Sequence, residues 1–302
     1  MYQPRGMDLW FTEKEFDFQN VGLTIRVKSQ LLHEETKFQV LSVFDTYHYG
    51  KMMTLDGIIQ LTEGDENFYH EMIAHVPLFV HPDPKRVLVV GGGDGGTARE
   101  ALKHPSVERL DLAEIDEGVI KAAREFFPAC AVAFDDSRLH LQVTDAIKWV
   151  AESANGAYDV ILIDSSDPIG PAVGLFTENF YQHCQRVLSE HGVVVAQSGS
   201  PWYQPRECQV ISERMSSVFG PEQVAIYTSF TPTYPSGQMA YTLASKGARP
   251  LDFDAHRKPT DDFTQSLICY NADVHRGAFA LPTYLKAGAA PEPQADLDAL
   301  SS

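Results

Sequence analysis

The chain has 302 residues, 44% hydrophobic and 11% aromatic, enough for one large globular domain or for one large and one small. Its 41 acidic against 24 basic residues give a formal net charge of −17, which disfavours nucleic acid and anionic membranes and favours cationic ligands. Cys130, Cys184, Cys208 and Cys269 form no C-x-x-C pair. Neither a zinc knuckle nor a redox dithiol is expected, and the thiols read as reduced ones of a cytoplasmic protein. Met1–Trp10 has no apolar signal core, and no run approaches the ~18 apolar residues of a membrane helix.

In chain order, Gly22–Ser29 alternates cleanly, Gln39–Asp45 follows, and Lys51–Thr62 turns at Asp56-Gly57. Short alternating runs separated by turn residues predict a small antiparallel β unit, assigned to residues 1–64. Phe68, Met72, Val76 and Phe79 then recur at helical spacing, so Asp65–Val80 is predicted to be a helix with one buried face. Beyond Pro82 and Pro84 the rhythm becomes strand, helix, strand. Val87–Val90, Leu110–Ile115, Leu139–Val143, Val160–Ile163 and Val193–Ala196 are the strands; Thr97–Lys103, Glu117–Phe126, Ala146–Glu152 and Glu178–Leu188 are the helices. This alternation predicts an α/β fold with a parallel sheet covered on both faces, over residues 65–286. Val224–Phe230 and Met239–Ser245 are expected to close it as an antiparallel hairpin around Pro232–Gly237. Residues 287–302, rich in Ala, Pro and Asp, are expected to be a disordered tail.

The first of these strands runs into Gly91-Gly92-Gly93-Asp94-Gly95-Gly96, which satisfies G-x-G-x-x-G. Such loops hold pyrophosphate on backbone N–H groups and a positive helix terminus. Asp94 would repel phosphate there and attract a cation, so the spacing points to an adenosine-like ligand that is cationic and phosphate-free. Asp94 could also merely cap the following helix.

Ligands of an open parallel sheet bind outside the carboxyl ends of its strands. Successive ends here carry Asp94, Glu114 with Asp116, Asp145, and Asp164 with Asp167. Glu114, about twenty residues past the loop, suits a ribose. Asp145 is equally well read as an N-cap or as an acceptor for an adenine amino group. Asp167 precedes Pro168 and could be only a turn former, but Asp164 stands at a central strand's mouth and points to chemistry. Two other motifs fail. In His70-Glu71-Met72-Ile73-Ala74-His75 the histidines are five apart, not the four that place a zincin pair on one face. Gln197-Ser198-Gly199-Ser200 lacks the G-x-S-x-G form of a hydrolase.

The chain resembles the polyamine aminopropyltransferases. The resemblance is carried by Leu55–Gln60, Tyr69–Met72, the loop with Asp94, Glu114–Asp116, Asp164–Pro171, Pro232–Tyr234 and Ala278–Pro282, in order and spanning roughly Leu9 to Lys286. It implies a small N-terminal antiparallel β domain followed by a Rossmann-like sheet of the class I methyltransferase type. The implied reaction moves an aminopropyl group from decarboxylated S-adenosylmethionine, a co-substrate, to putrescine. Spermidine and methylthioadenosine are formed, with no cofactor and no metal. By resemblance Asp164 is the proton acceptor and Asp167 binds the amine. Gln39, Glu114, Asp145, Ala146 and Pro171 match nucleoside-side positions, and His70 and Asp94 match polyamine or aminopropyl contacts. Gln60, Tyr69, Gln197 and Tyr234 are further lining residues. The resemblance also implies a homodimer or homotetramer formed through the N-terminal region. Gly64 replaces an arginine usual in the family, and Ala146 a frequent glycine. A methyltransferase using the intact donor, a NAD-dependent dehydrogenase and a non-catalytic polyamine-binding protein are the rival readings.

Overall fold

In the computed structural model, residues 9–13, 21–167, 170–253 and 259–286 are described. The alternating N-terminal segments pair as an antiparallel sheet in the order β1-β2-β3-β4-β5, with β1 Leu9–Thr12, β2 Thr24–Glu35, β3 Val40–Thr46, β4 Lys51–Leu55 and β5 Ile58–Thr62. The β4–β5 hairpin turns at Asp56-Gly57, as its sequence predicts. Two features were not apparent from the sequence. β1 is a four-residue edge strand, too short to show a period. β2 runs six residues beyond Ser29, through a mostly exposed half where no core enforces alternation.

The second sheet has seven strands in the order β11-β12-β10-β9-β6-β7-β8. Its parallel part is β6 Arg86–Gly91, β7 Arg109–Glu114, β8 Leu139–Val143, β9 Tyr158–Asp164 and β10 Leu188–Gln197. β11 Val224–Phe230 and β12 Gln238–Ser245 form the expected hairpin, with β12 inserted antiparallel beside β10. This is the Rossmann-like mixed sheet of the class I methyltransferase type. Helices α2 Gly96–Leu102, α3 Glu117–Phe126, α5 Ala146–Glu152 and α6 Glu178–Val187 occupy the predicted crossovers, and the short α4 Pro128–Ala131 follows α3. An additional helix, α7 Pro205–Phe219, precedes β11. Two apolar clusters pack on the sheet. One includes Val87, Val89 and Leu162, the other Leu88, Val90 and Ile163. Neighbours along a strand thus point to opposite faces, and both faces are buried.

Helix α1, Glu66–Val80, begins where predicted but is not amphipathic. All its residues except Asn67 and Phe68 are buried. One side packs on the large sheet and the other is covered by the C-terminal segment. The Glu71 carboxylate accepts the backbone N–H groups of Ile268, Cys269 and Tyr270 at 2.7–2.8 Å. Phe79 stacks on Tyr270, and Tyr227 Oη donates to Met72 O. Burying Met72, Ile73, Val76 and Leu78 completely contributes about 1.5–3 kcal/mol each. This fixes α1, whose first turns carry Glu66, Tyr69 and His70.

All four cysteines are free. Among the described residues no helix is long and apolar enough to cross a membrane. The expected tail from Ala287 lies outside the described residues.

Candidate active site

The carboxyl ends of β6, β7, β8 and β9 open into a cleft of about 310 Å³. Gln39, Gln60, Tyr69, His70, Asp94, Glu114, Asp145, Ala146, Asp164, Asp167, Gln197 and Tyr234 all line it. The side chain of Pro171 lies outside the described residues. The cleft wall carries six carboxylates, with Asp56 the sixth, and among the described lining residues neither lysine nor arginine.

The glycine loop owes its composition to crowding. Gly91 pairs with Asp164 across the β6–β9 register, and Gly92 N–H donates to Asp164 O at 2.7 Å. A Cβ on Gly91 would stand 2.2 Å from that carbonyl oxygen, and one on Gly96 would stand 2.2 Å from the ring of His70. Glycine lets β9 and α1 deliver Asp164 and His70 against the loop backbone.

Asp94 lies where the glycine loop enters α2. Its Oδ1 accepts the Gly96 N–H at 2.7 Å and lies 3.3 Å from His70 Nε2. Its Oδ2 has no protein partner among the described residues. His70 Nδ1 in turn lies 2.6 Å from Glu66 Oε2, and Glu66 receives Arg99 through both terminal nitrogens at 2.9 and 2.8 Å. Burial opposes charge on His70, but Asp94 and Glu66 outweigh it and hold the imidazole protonated well above the usual histidine range. Burial also raises Asp94, yet His70 and the Gly96 N–H bring it below the ordinary aspartate value. Oxygen and nitrogen atoms of His70, Asp94 and Asp164 lie within 4.8 Å of one another, a spacing a metal ion could bridge. Both imidazole nitrogens already face carboxylates, so this is an internal ion-pair cluster rather than a vacant ligand set. His75 belongs elsewhere, in a buried group with Glu100 and His104.

Asp164 receives the Tyr69 hydroxyl on Oδ1 at 2.7 Å, while its Oδ2 is buried without a partner. Burial first, then the charge of Asp94, raises its pKa against the opposing effect of His70. Asp167 is aimed by two amides: Gln197 Nε2 donates to Oδ1 at 3.1 Å and Gln204 Nε2 to Oδ2 at 2.6 Å. Tyr234 Oη donates to Gln60 O at 2.6 Å and ties the β11–β12 turn to β5.

At the other end, Glu114 accepts the Asp116 N–H at 2.8 Å and the Gly93 N–H at 3.2 Å. Burial outweighs these bonds, and the nearby Asp116 charge adds to it, so its pKa stands at about 7. Asp116 is structural: it caps α3 through the Gly118 N–H and binds Thr36 and Gln39 Nε2 from the N-terminal sheet. Asp145 caps α5 by accepting the Ile147 N–H at 2.8 Å. That realises the capping alternative and leaves Oδ2 toward no described donor. Ala146 is buried against the cleft. Gly64 packs under Tyr49, where a Cβ would come within 3.0 Å of the ring.

Sequence reasoning missed Glu66 and Arg99, Gln204 and Glu13. Glu13, just past β1, is buried. Its Oε1 accepts the Ile59 N–H at 2.8 Å and its Oε2 has no partner. Burial chiefly, and the charge of Asp167, raise its pKa to about 7. Beside Lys14, Glu15 and Asp17, nothing in the sequence singles it out.

Fold and cleft together define a class I methyltransferase-type α/β protein whose site suits a phosphate-free, cationic ligand. Residues 66–254 match the spermine/spermidine synthase domain, and residues 9–63 match the spermidine synthase tetramerisation domain. A polyamine aminopropyltransferase of Thermoanaerobacter sp. (strain X514) is 44% identical over 280 residues, covering 93% of this chain and 98% of that one. One from Bacillus mycoides (strain KBAB4) is also 44% identical, over 92% and 98% of the two chains. Among solved structures, a spermidine synthase in complex with the transition state analogue AdoDATO superposes with a TM-score of 0.87 at 40% identity, over 95% of this chain and 96% of that one. The spermidine synthase from Thermotoga maritima gives 0.85, also at 40% identity and over the same shares. The chain belongs to the spermine/spermidine synthase family, and is an enzyme of the polyamine aminopropyltransferase class.

Proposed function

We propose that the enzyme transfers the aminopropyl group of decarboxylated S-adenosylmethionine to putrescine, giving spermidine and methylthioadenosine. The observation that carries this reading is the facing pair Asp94 and Asp164. Their carboxylate oxygens lie within 4.8 Å, and each keeps one oxygen without a described protein partner. An ammonium on Asp94 and an amine on Asp164 would bracket the methylene that joins the donor's sulfonium to its arm.

The putrescine amine must be neutral to attack. For an alkylamine with a pKa near 10.4, deprotonation at pH 7 costs roughly 4–5 kcal/mol. Its lone pair forms the new C–N bond while the C–S bond breaks and its electrons return to sulfur, leaving a neutral thioether. The proton that the putrescine ammonium gives up to become the nucleophile passes to Asp164, whose raised pKa makes it a better base than an ordinary aspartate, and the new secondary amine leaves as an ammonium. Tyr69 orients that carboxylate, and holding both reactants in one cleft supplies much of the remaining rate.

Glu114 is assigned to the ribose hydroxyls, with Gln39 beside it, and Asp145, Ala146 and Pro171 to the adenine side. Asp167, aimed by Gln197 and Gln204, binds the acceptor together with Tyr69, Gln60 and Tyr234. The N-terminal unit is taken to end at Gly64 and to assemble the protein as a homodimer or homotetramer. The tetramerisation-domain match and the exposed Leu9, Trp10, Leu31 and Tyr47 of the small sheet and its β3–β4 turn support this. The free, mostly buried thiols fit a cytoplasmic enzyme.

The test is the purified enzyme with decarboxylated donor and a diamine panel. Methylthioadenosine formation with putrescine preferred is expected. S-adenosylhomocysteine formation from the intact donor would instead identify a methyltransferase, the outcome Asp94 opposes by repelling the donor carboxylate.

A further inference from the structure

His70 sits on a wall built for cations, yet its own two nitrogens face carboxylates, Glu66 Oε2 at 2.6 Å and Asp94 Oδ1 at 3.3 Å. A neutral imidazole has one N–H and would turn a lone pair toward one of those oxygens. The arrangement is that of an imidazolium. The ring is 3% exposed and lies against the Gly96 backbone, so it cannot swing aside. The titratable groups facing it are Glu66 and Tyr69 of α1, Asp94 of the glycine loop, Asp164 at the end of β9, Cys130 of α4 and, through Glu66, Arg99 of α2. Burial keeps the Tyr69 phenol and the Cys130 thiol protonated. Burial opposes charge on Glu66, but its bonds to His70 and to the Arg99 guanidinium hold it below the ordinary glutamate range.

We propose that the His70 imidazolium is a resident cation that the donor displaces. As the donor's ammonium docks on Asp94, His70 releases its Nε2 proton to solvent. It keeps the Nδ1–H on Glu66 and, with the ring in place, offers the Nε2 lone pair as an acceptor to the ammonium seated beside Asp94. This rests on the assignment of Asp94 to the aminopropyl end. Two adjacent cations sharing one carboxylate would repel strongly in a closed site. Proton loss converts that repulsion into a hydrogen bond, and one positive charge leaves as one arrives. Donor affinity then rises with pH, by up to about tenfold per unit, over the range where free His70 is charged and bound His70 is not.

Calorimetric titration of the full-length enzyme with decarboxylated donor, without acceptor, in two buffers of unlike ionisation enthalpy counts the protons. About one proton should be released per donor bound near pH 7.5. Methylthioadenosine, which lacks the aminopropyl arm, should release only the small fraction of a proton that Glu114 holds under the ribose. His70→Gln should release no more than that on binding donor. Donor binding without protons, equal release with methylthioadenosine, or release that persists in His70→Gln (Asp164 then being the source) overturns the proposal alone. Failure of the donor to bind at all overturns the proposed function with it.

Discussion

Gly96→Ala tests the packing that places His70. Gly96 opens α2 with an ordinary helical φ, so alanine brings no backbone strain there and any effect is steric. The new Cβ would lie 2.2 Å from His70 Cε1 and Nδ1, whereas ordinary contact begins near 3.4 Å. The ring must therefore retreat by about 1.2 Å. It cannot keep both the 2.6 Å contact to Glu66 and the 3.3 Å contact to Asp94, because the longer one would then exceed hydrogen-bond range. The displaced ring also loses its reach to the donor's ammonium, a hydrogen bond to a charged group worth about 2 kcal/mol, or roughly 30-fold in kcat/KM for the donor. Overpacking adds about 1–3 kcal/mol of lost stability. The assay is initial-rate methylthioadenosine formation at varied donor, beside a thermal melt. An alanine variant with unchanged donor kcat/KM and unchanged Tm would refute the claim that the ring rests on this glycine.

Asp164→Asn removes the proton acceptor while preserving shape, so turnover should fall ~10²–10⁴-fold, with methylthioadenosine affinity essentially retained; turnover near the parent value would remove Asp164 from the chemistry. Glu13→Gln should change how stability depends on pH. Because the folded-state pKa of Glu13 is raised from 4.5 to about 7, the native protein loses stability as pH rises through that interval. Glutamine keeps an acceptor for the Ile59 N–H without the buried charge. The variant should gain about 2–3 kcal/mol at pH 8 and nothing at pH 4, seen as a pH-dependent Tm difference. A Tm difference that is the same at both pH values would contradict the raised pKa.

Legibility in the sequence followed chain distance. The acids at four successive strand ends could be read as one constellation because parallel strands deliver their carboxyl ends to one edge, whatever lies between. Asp94, Glu114, Asp145 and Asp164 needed only the strand–helix alternation to be grouped. Gln204 did not belong to that pattern. It reaches Asp167 across 37 residues from the far side of β10. Glu13 reaches Ile59 across 46 residues, and nothing in Leu9–Thr12 announces a strand. The total burial of α1 was hidden for the same reason, since its cover, Ile268–Tyr270, is nearly 200 residues away. Asp145 shows a different limit: sequence allowed cap or ligand, and one carboxylate has an oxygen for each.

The acidic lining also governs which molecules stay out. ATP and the nicotinamide dinucleotides present the same adenosine and can enter the same kind of glycine-loop cleft. Each would drag phosphates onto a wall where six carboxylates wait and no described lysine or arginine answers. Discrimination against these competitors is therefore built into the charge of the cleft wall.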